Sequence, residues 1–182
     1  MTMELFEKTL KRTPIYQGSI IDLEVHDVAL PDGKESKREL IFHNGAVAVC
    51  AITPESEVIF VKQFRKPAEK PLLEIPAGKL EKGEEREAAA KRELEEETGY
   101  IAENLELIAE MYGSPGYSNE KVTIYLAKDL KTGEMHLDED EFINLVTYSL
   151  EELKQLLDDN EVEDAKTIIA IQHLLLNYNH FK

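Results

Sequence analysis

The sequence predicts an α/β (α+β) protein, an α/β/α sandwich around a mixed sheet, preceded by a small N-terminal antiparallel β module. Three observations carry that expectation. Extended segments dominate the chain before residue 78, a helical stretch runs from Glu84 to Gly99, and two more helices close the chain after further strands. At 182 residues the chain fits one main domain with a small accessory piece, and 42% hydrophobic content is ordinary for a globular core.

Residues 4–12 mix charged and apolar side chains and read as a short strand or an ordered tail. Ile21, Leu23 and Val25 alternate with Asp22, Glu24 and His26, the pattern of a half-buried strand. His26 falls on the polar set and is expected at the surface. Pro31-Asp32-Gly33 is a turn signal, so Arg38 to His43 reads as the returning strand of a hairpin. Asn44-Gly45 breaks the pattern and marks a boundary between an N-terminal β-hairpin module of residues 1–44 and a main domain of residues 45–182. So small a sheet has little core of its own and needs something to pack on; a second subunit is a reasonable candidate.

The apolar run from Ala46 to Ile52 predicts a buried strand, and Val58 to Phe64 is expected to pair with it across the Pro54-Glu55-Ser56-Glu57 turn. Cys50 is the only cysteine, which excludes an intramolecular disulfide and a cysteine-rich metal site; it reads as a small buried hydrophobe. Arg65 and Lys66 end the second strand. They are either solvated or placed to meet an anionic group near the helix that follows.

That helix organises the chain. Gly78 and Gly83 let the backbone turn, Glu84 to Glu87 put negative charge at a helix N-terminus, Ala88 to Ala90 favour helix, and Gly99 is a C-cap. Glu93, Glu96 and Glu97 stand at i, i+3 and i+4, so they share one face. Like charges this close repel. Two outcomes are open: a solvated acidic face, or an oxygen-only cluster for a hard divalent cation, Mg²⁺ or Mn²⁺ before zinc.

Beyond the helix, Asn104 to Ala109 reads as a strand, Met111 to Ser118 as a loop, Val122 to Leu126 as a strand and Lys131-Thr132-Gly133 as a turn. An acidic run, Asp138 to Glu141, precedes a strand from Phe142 to Ser149. Ser149 and Glu152 form a capping box for a helix through Leu157, and a last helix spans about Asp164 to Tyr178, with Ile168, Ile171 or Gln172, and Leu175 as its core stripe. A formal charge of −16 argues against a nucleic-acid polymer or an anionic membrane as partner. A small anionic substrate is compatible with it where bound metal and local arginines reverse the field. The N-terminal residues lack a basic region followed by an apolar core, and nothing approaches transmembrane length, so a cytoplasmic location is expected.

Gly78-x5-Glu84-x7-Arg92-Glu93-Leu94-x-Glu96-Glu97-x-Gly99-Tyr100 resembles the signature of the Nudix hydrolases at every fixed position, with an aromatic Tyr100 where an aliphatic residue is usual. The resemblance implies the Nudix-type sandwich and a metal-dependent pyrophosphohydrolase acting on a nucleoside diphosphate linked to another group. Pro115, sixteen positions past Gly99, lies in a Ser114-Pro115-Gly116 loop similar to the marker of the ADP-ribose pyrophosphatase subgroup. Arg38-Glu39, Gln63-Phe64-Arg65 and the 137–142 segment are also similar to that subgroup. What it implies is Mg²⁺-dependent hydrolysis of ADP-ribose to AMP and ribose 5-phosphate, with Mn²⁺ as a substitute. Two alternatives stay open. One is a Nudix hydrolase of a nucleotide sugar, dinucleoside polyphosphate or oxidised nucleoside triphosphate; the other is a non-catalytic ligand sensor, against which the retained Glu93, Glu96 and Glu97 speak.

By the same resemblance, Glu93 and Glu97 are metal ligands, with Glu96 assisting and the Ala77 carbonyl completing the site. Arg92 orients the carboxylates, and Glu84 supports the loop or simply charges the helix N-terminus. Glu139 is the first choice for the general base and Glu141 the second, on a mobile acidic loop; Glu120 is a weaker candidate for metal or substrate contact. Arg65 meets the diphosphate or terminal phosphate, with Gly78 and Pro115 also on the substrate. Arg38 and Glu39 serve the adenine side, within a homodimer that exchanges its N-terminal sheets. Tyr16, Tyr112 and Tyr117 are candidate stackers, read first as packing residues.

Overall fold

A computed structural model describes residues 4–137 and 141–177. Two compact units emerge: Met1–Gly45 with Tyr112–Lys121, and Ala46–Met111 with Val122–Lys182.

The first unit is an antiparallel meander of β1 (Lys8–Gln17), β2 (Asp22–Ala29) and β3 (Glu35–Phe42), in that order. Gly33 turns between the last two with φ +84, a conformation that glycine adopts without penalty. β1 is exposed along nearly its whole length, including Leu10, Ile15 and Tyr16. The 112–121 segment lies along β3: the Ile41 N–H donates to the Tyr117 carbonyl at 2.7 Å, and the Asn119 N–H to the Ile41 carbonyl at 3.1 Å. His26 is not at the surface. It is 4% exposed, with Nε2 2.6 Å from a Glu24 carboxylate oxygen and its ring 5.9 Å from that of Phe42. β2 is the central strand, and the face shared by His26 and Val28 is its buried one. Apolar alternation pointed to the other face.

The second unit contains β4 (Ala46–Ala51), β5 (Glu57–Arg65), β6 (Lys70–Glu74), β7 (Ala77–Lys79), α1 (Arg86–Thr98), β8 (Tyr100–Ile101), β9 (Leu105–Tyr112), β10 (Lys121–Ala127), β11 (Lys131–Thr132), β12 (Ile143–Ser149), α2 (Glu152–Asp158) and α3 (Ala165–Leu176). Its main sheet is mixed, in the order β7-β4-β10-β9, with β4 and β10 parallel and β4 and β7 antiparallel. A second sheet runs β12-β5-β6, and β8 pairs with β11. The expected β4–β5 hairpin does not form. The two strands lie in different sheets, joined near the turn by one isolated bridge, Ile52 to Val58. β4 is fully buried from Val47 to Ala51, which fits a parallel inner strand covered on both faces.

Alternation along β4 then feeds two cores. Val47, Val49 and Ala51 join Ala89, Ala90 and Leu94 of α1, while Ala48 and Cys50 join Leu153 of α2 and Ile171 and Leu174 of α3. Cys50 is sealed inside, and burial pushes its thiol up to about 12. α3 begins at Asp164, whose carboxylate accepts from the Thr167 N–H at 3.0 Å. Its buried stripe is Thr167, Ala170, Ile171 and Leu174; Ile168 and Leu175 are only partly buried, and Gln172 is exposed. Glu152 reaches back to the Ser149 N–H at 2.8 Å, but Ser149 donates its hydroxyl to the same carboxylate instead of capping an amide. Among the described residues no helix is long and apolar enough to cross a membrane.

Candidate active site

The glycine loop and α1 place the acidic residues. Gly99 takes φ +70 and its N–H closes the helix on the Glu95 carbonyl at 2.7 Å. The buried side of α1 carries Ala89, Ala90 and Leu94, and on that same side Glu97 is only 3% exposed. A buried carboxylate needs a partner. Here one Glu97 oxygen accepts the Ala77 N–H at 2.9 Å. Burial raises Glu97 to about 8; the Ala77 N–H opposes the shift, and the charges of Glu93 and Glu141 add to it. Glu93 is raised for the same first reason, burial, which outweighs the attraction of Arg92.

Arg92 is the hub of the site. Its Nε and Nη2 donate to the two Glu84 oxygens at 3.0 and 3.2 Å, and its Nη1 donates to Glu96 at 2.7 Å and lies 2.9 Å from a Glu93 oxygen. The hydrogen bond from Arg92, joined by the Glu81 N–H, holds the Glu84 carboxyl below the usual range. Gly78 of β7 lies flat against Glu93: a Cβ there would stand 1.8 Å from the Glu93 carboxyl carbon. At the far end of the helix, the Glu96 carbonyl accepts the His136 N–H at 2.9 Å and the Gly99 carbonyl the Gly133 N–H at 2.7 Å. These bonds tie Gly133 and His136 to the end of α1. Glu141 is near enough for its charge to act on both Glu93 and Glu97. Glu139 lies outside the described residues.

Among the described residues, no three His, Cys, Asp or Glu side chains stand so as to hold a metal ion. Arg92 draws Glu84, Glu93 and Glu96 to itself, while Glu97 turns to Ala77. The donor chemistry nonetheless fits a hard cation. It is oxygen throughout, and two of the carboxylates are held under burial and mutual repulsion that a cation would relieve.

Arg65, at the end of β5, makes a bidentate pair with Glu74 of β6, Nε to Oε1 at 2.6 Å and Nη2 to Oε2 at 2.8 Å. Glu74 is 2% exposed and also accepts from Lys166 of α3. Neither Glu74 nor Lys166 was singled out in the sequence. The available signal was Glu74 itself, a charged residue closing the apolar Leu72-Leu73 run four residues before Gly78.

The remaining candidates belong to the first unit. Arg38 pairs with Glu7, with contacts of 2.9 and 2.6 Å, and its neighbour Glu39 is exposed. Pro115 lines a cavity of about 350 Å³ with Leu40, Phe42, Tyr112 and Tyr117. Tyr16, Tyr112 and Tyr117 are all more than half exposed, so none is a core packing residue. Glu120 stands 3.8 Å from His43 Nδ1.

Residues 42–170 match the family described as NUDIX domain, and residues 7–41 the nucleoside diphosphate sugar hydrolase N-terminal domain. The chain is 54% identical over 174 residues to the ADP-ribose pyrophosphatase of Bacillus subtilis, covering 94% of each chain. It is 49% identical over 172 residues to the methanol dehydrogenase activator of Bacillus methanolicus, covering 93% of each. In fold it is similar to a crystal structure of an ADP compounds hydrolase, with a TM-score of 0.85, 22% identity, and coverage of 99% of this chain and 97% of that one. With the family matched across most of its length and the signature on a loop and helix that gather its carboxylates around Arg92, the chain belongs to the Nudix hydrolase family.

Proposed function

We propose that this chain hydrolyses the diphosphate of ADP-ribose to AMP and ribose 5-phosphate, with Mg²⁺ as its divalent cation. The observation that carries the substrate is the 54% identity, over 94% of both chains, with a protein named ADP-ribose pyrophosphatase. Glu93, Glu97 and the Ala77 carbonyl hold the cation, with Glu96 assisting; when bound, it neutralises the diphosphate and acidifies a water. Arg92 holds Glu93 and Glu96 in place from behind, with Glu84 securing Arg92 in turn. Arg65 directs its guanidinium at the diphosphate or terminal phosphate, and Gly78 keeps the backbone low enough for Glu93 to lie across it. A loop carboxylate, Glu139 before Glu141, takes the proton from the attacking water. Arg38 and Glu39 serve the adenine end in a homodimer built on the module of residues 1–44, with Pro115 near the substrate and the Nudix domain spanning 45–182.

The match of residues 7–41 to the nucleoside diphosphate sugar hydrolase N-terminal domain favours a second reading, a Nudix hydrolase of another nucleoside diphosphate derivative. A substrate panel in Mg²⁺, repeated in Mn²⁺, separates the two when AMP and ribose 5-phosphate are both quantified. Preference for ADP-ribose with the two products in equal amounts is the expected result. Faster turnover of a nucleotide sugar or dinucleoside polyphosphate overturns the substrate, and silence across the panel overturns the hydrolase.

A further inference from the structure

Arg65 does not stand alone. Its Nε and Nη2 are both committed to Glu74, and among the described residues its Nη1 has no hydrogen-bond partner. Its side chain is 40% exposed. Glu74, by contrast, is almost wholly buried, and its Oε2 accepts from two cations, Arg65 and Lys166. Lys166 is itself 13% exposed and lies 3.0 Å from Asp164, the cap of α3. Asp164 in turn accepts the Thr167 hydroxyl at 2.6 Å, and that oxygen accepts the Ile75 N–H at 2.8 Å. A closed circuit therefore runs from Arg65 through Glu74 and Lys166 to the start of α3 and back to the strand end beside Glu74.

We infer that Lys166 is a positioning residue: by fixing the Glu74 carboxylate it sets the direction in which Arg65 presents its guanidinium to an anionic substrate group. This rests on the proposal that Arg65 meets the substrate. The physical reason lies in the count of charges. Glu74 and Asp164 are two acids in a mostly buried cluster, matched by Arg65 and Lys166. Without Lys166, Arg65 is the one cation left on Glu74, Asp164 loses its cation, and Glu74 loses one of the donors that hold its plane. A bidentate pair then has freedom to swing, and an arginine aimed at a phosphate loses its geometric advantage. Lys166 also shows why a strand-end arginine depends on a residue of the last helix, a hundred positions later.

A double-mutant cycle tests it on the full chain, using whichever diphosphate the wild type hydrolyses fastest, so a wrong substrate assignment shows in the wild type before any variant is made. Lys166→Met is expected to lower kcat/KM by about tenfold or more, mainly through KM. Lys166→Arg should restore most of it, and in an Arg65→Ala background Lys166→Met should change kcat/KM less than twofold. Thermal unfolding runs alongside, and Lys166→Gln replaces the Met variant if that one does not fold. Wild-type kinetics in Lys166→Met with only a lowered Tm overturns the inference, as does an equal loss in the presence and absence of Arg65.

Discussion

Gly78→Ala separates activity from stability at one atom. The φ of Gly78 is not in the left-handed region, so alanine fits the backbone there. Its Cβ, however, would lie 1.8 Å from the Glu93 carboxyl carbon and 2.0 and 2.2 Å from its two oxygens. Ordinary contact is about 3.5–4.0 Å, so the carboxylate must retreat by roughly 1.5 Å or more. It is the tip of a flexible side chain, and a shifted rotamer costs only about 0.5–1.5 kcal/mol. For a metal ligand the same shift is severe, since a misplacement of about 1 Å costs about 100-fold in rate, or about 2.7 kcal/mol of barrier. Steady-state kinetics across a Mg²⁺ titration, beside thermal unfolding, reads both quantities. The expected result is a kcat lower by about 100-fold or more, a weakened Mg²⁺ dependence, and a Tm within a few degrees of wild type. A kcat within threefold of wild type would refute the placement of Glu93 at the reacting centre.

Two other perturbations address the carboxylates. Burial, with help from neighbouring charges, raises Glu97 to about 8 in the metal-free protein, while an unfolded glutamate titrates at about 4.3. The folded state therefore holds the proton more tightly, and the stability this contributes is full below about 4.3 and lost as pH rises through about 8. In EDTA, wild-type Tm should fall more steeply from pH 5 to pH 8 than that of Glu97→Gln; parallel curves would remove Glu97 as the cause. For the base, Glu139→Gln should lower kcat far more than it weakens ADP-ribose binding. A larger kcat loss in Glu141→Gln would transfer the role to the residue whose charge already acts on Glu93 and Glu97.

The local structure of the candidate site was legible in the sequence because it is built from short-range geometry. Helical spacing put Glu93, Glu96 and Glu97 on one side of α1, and glycine chemistry stopped the helix at Gly99. The spacing did not say which carboxylate faces inward. Packing against β4 decided that Glu97 is buried beside Ala77 while Glu96 stays with Arg92 near solvent. Strand partners were beyond reach for the same kind of reason. β4 is apolar on both faces, so it has no alternation to mark its register, and its parallel partner β10 lies some seventy residues away. His26 lies inside, against the alternation of its strand, because the N-terminal sheet buries the side that carries polar residues of β2, where Phe42 and the neighbouring strands cover it. The circuit of Arg65, Glu74 and Lys166 joins two strands to the last helix, and no pattern along the chain encodes such a meeting. Sequence determined which groups the site contains and the local turns that present them. Tertiary structure decided which of those groups are buried, paired or free, because burial and pairing depend on residues distant in the chain.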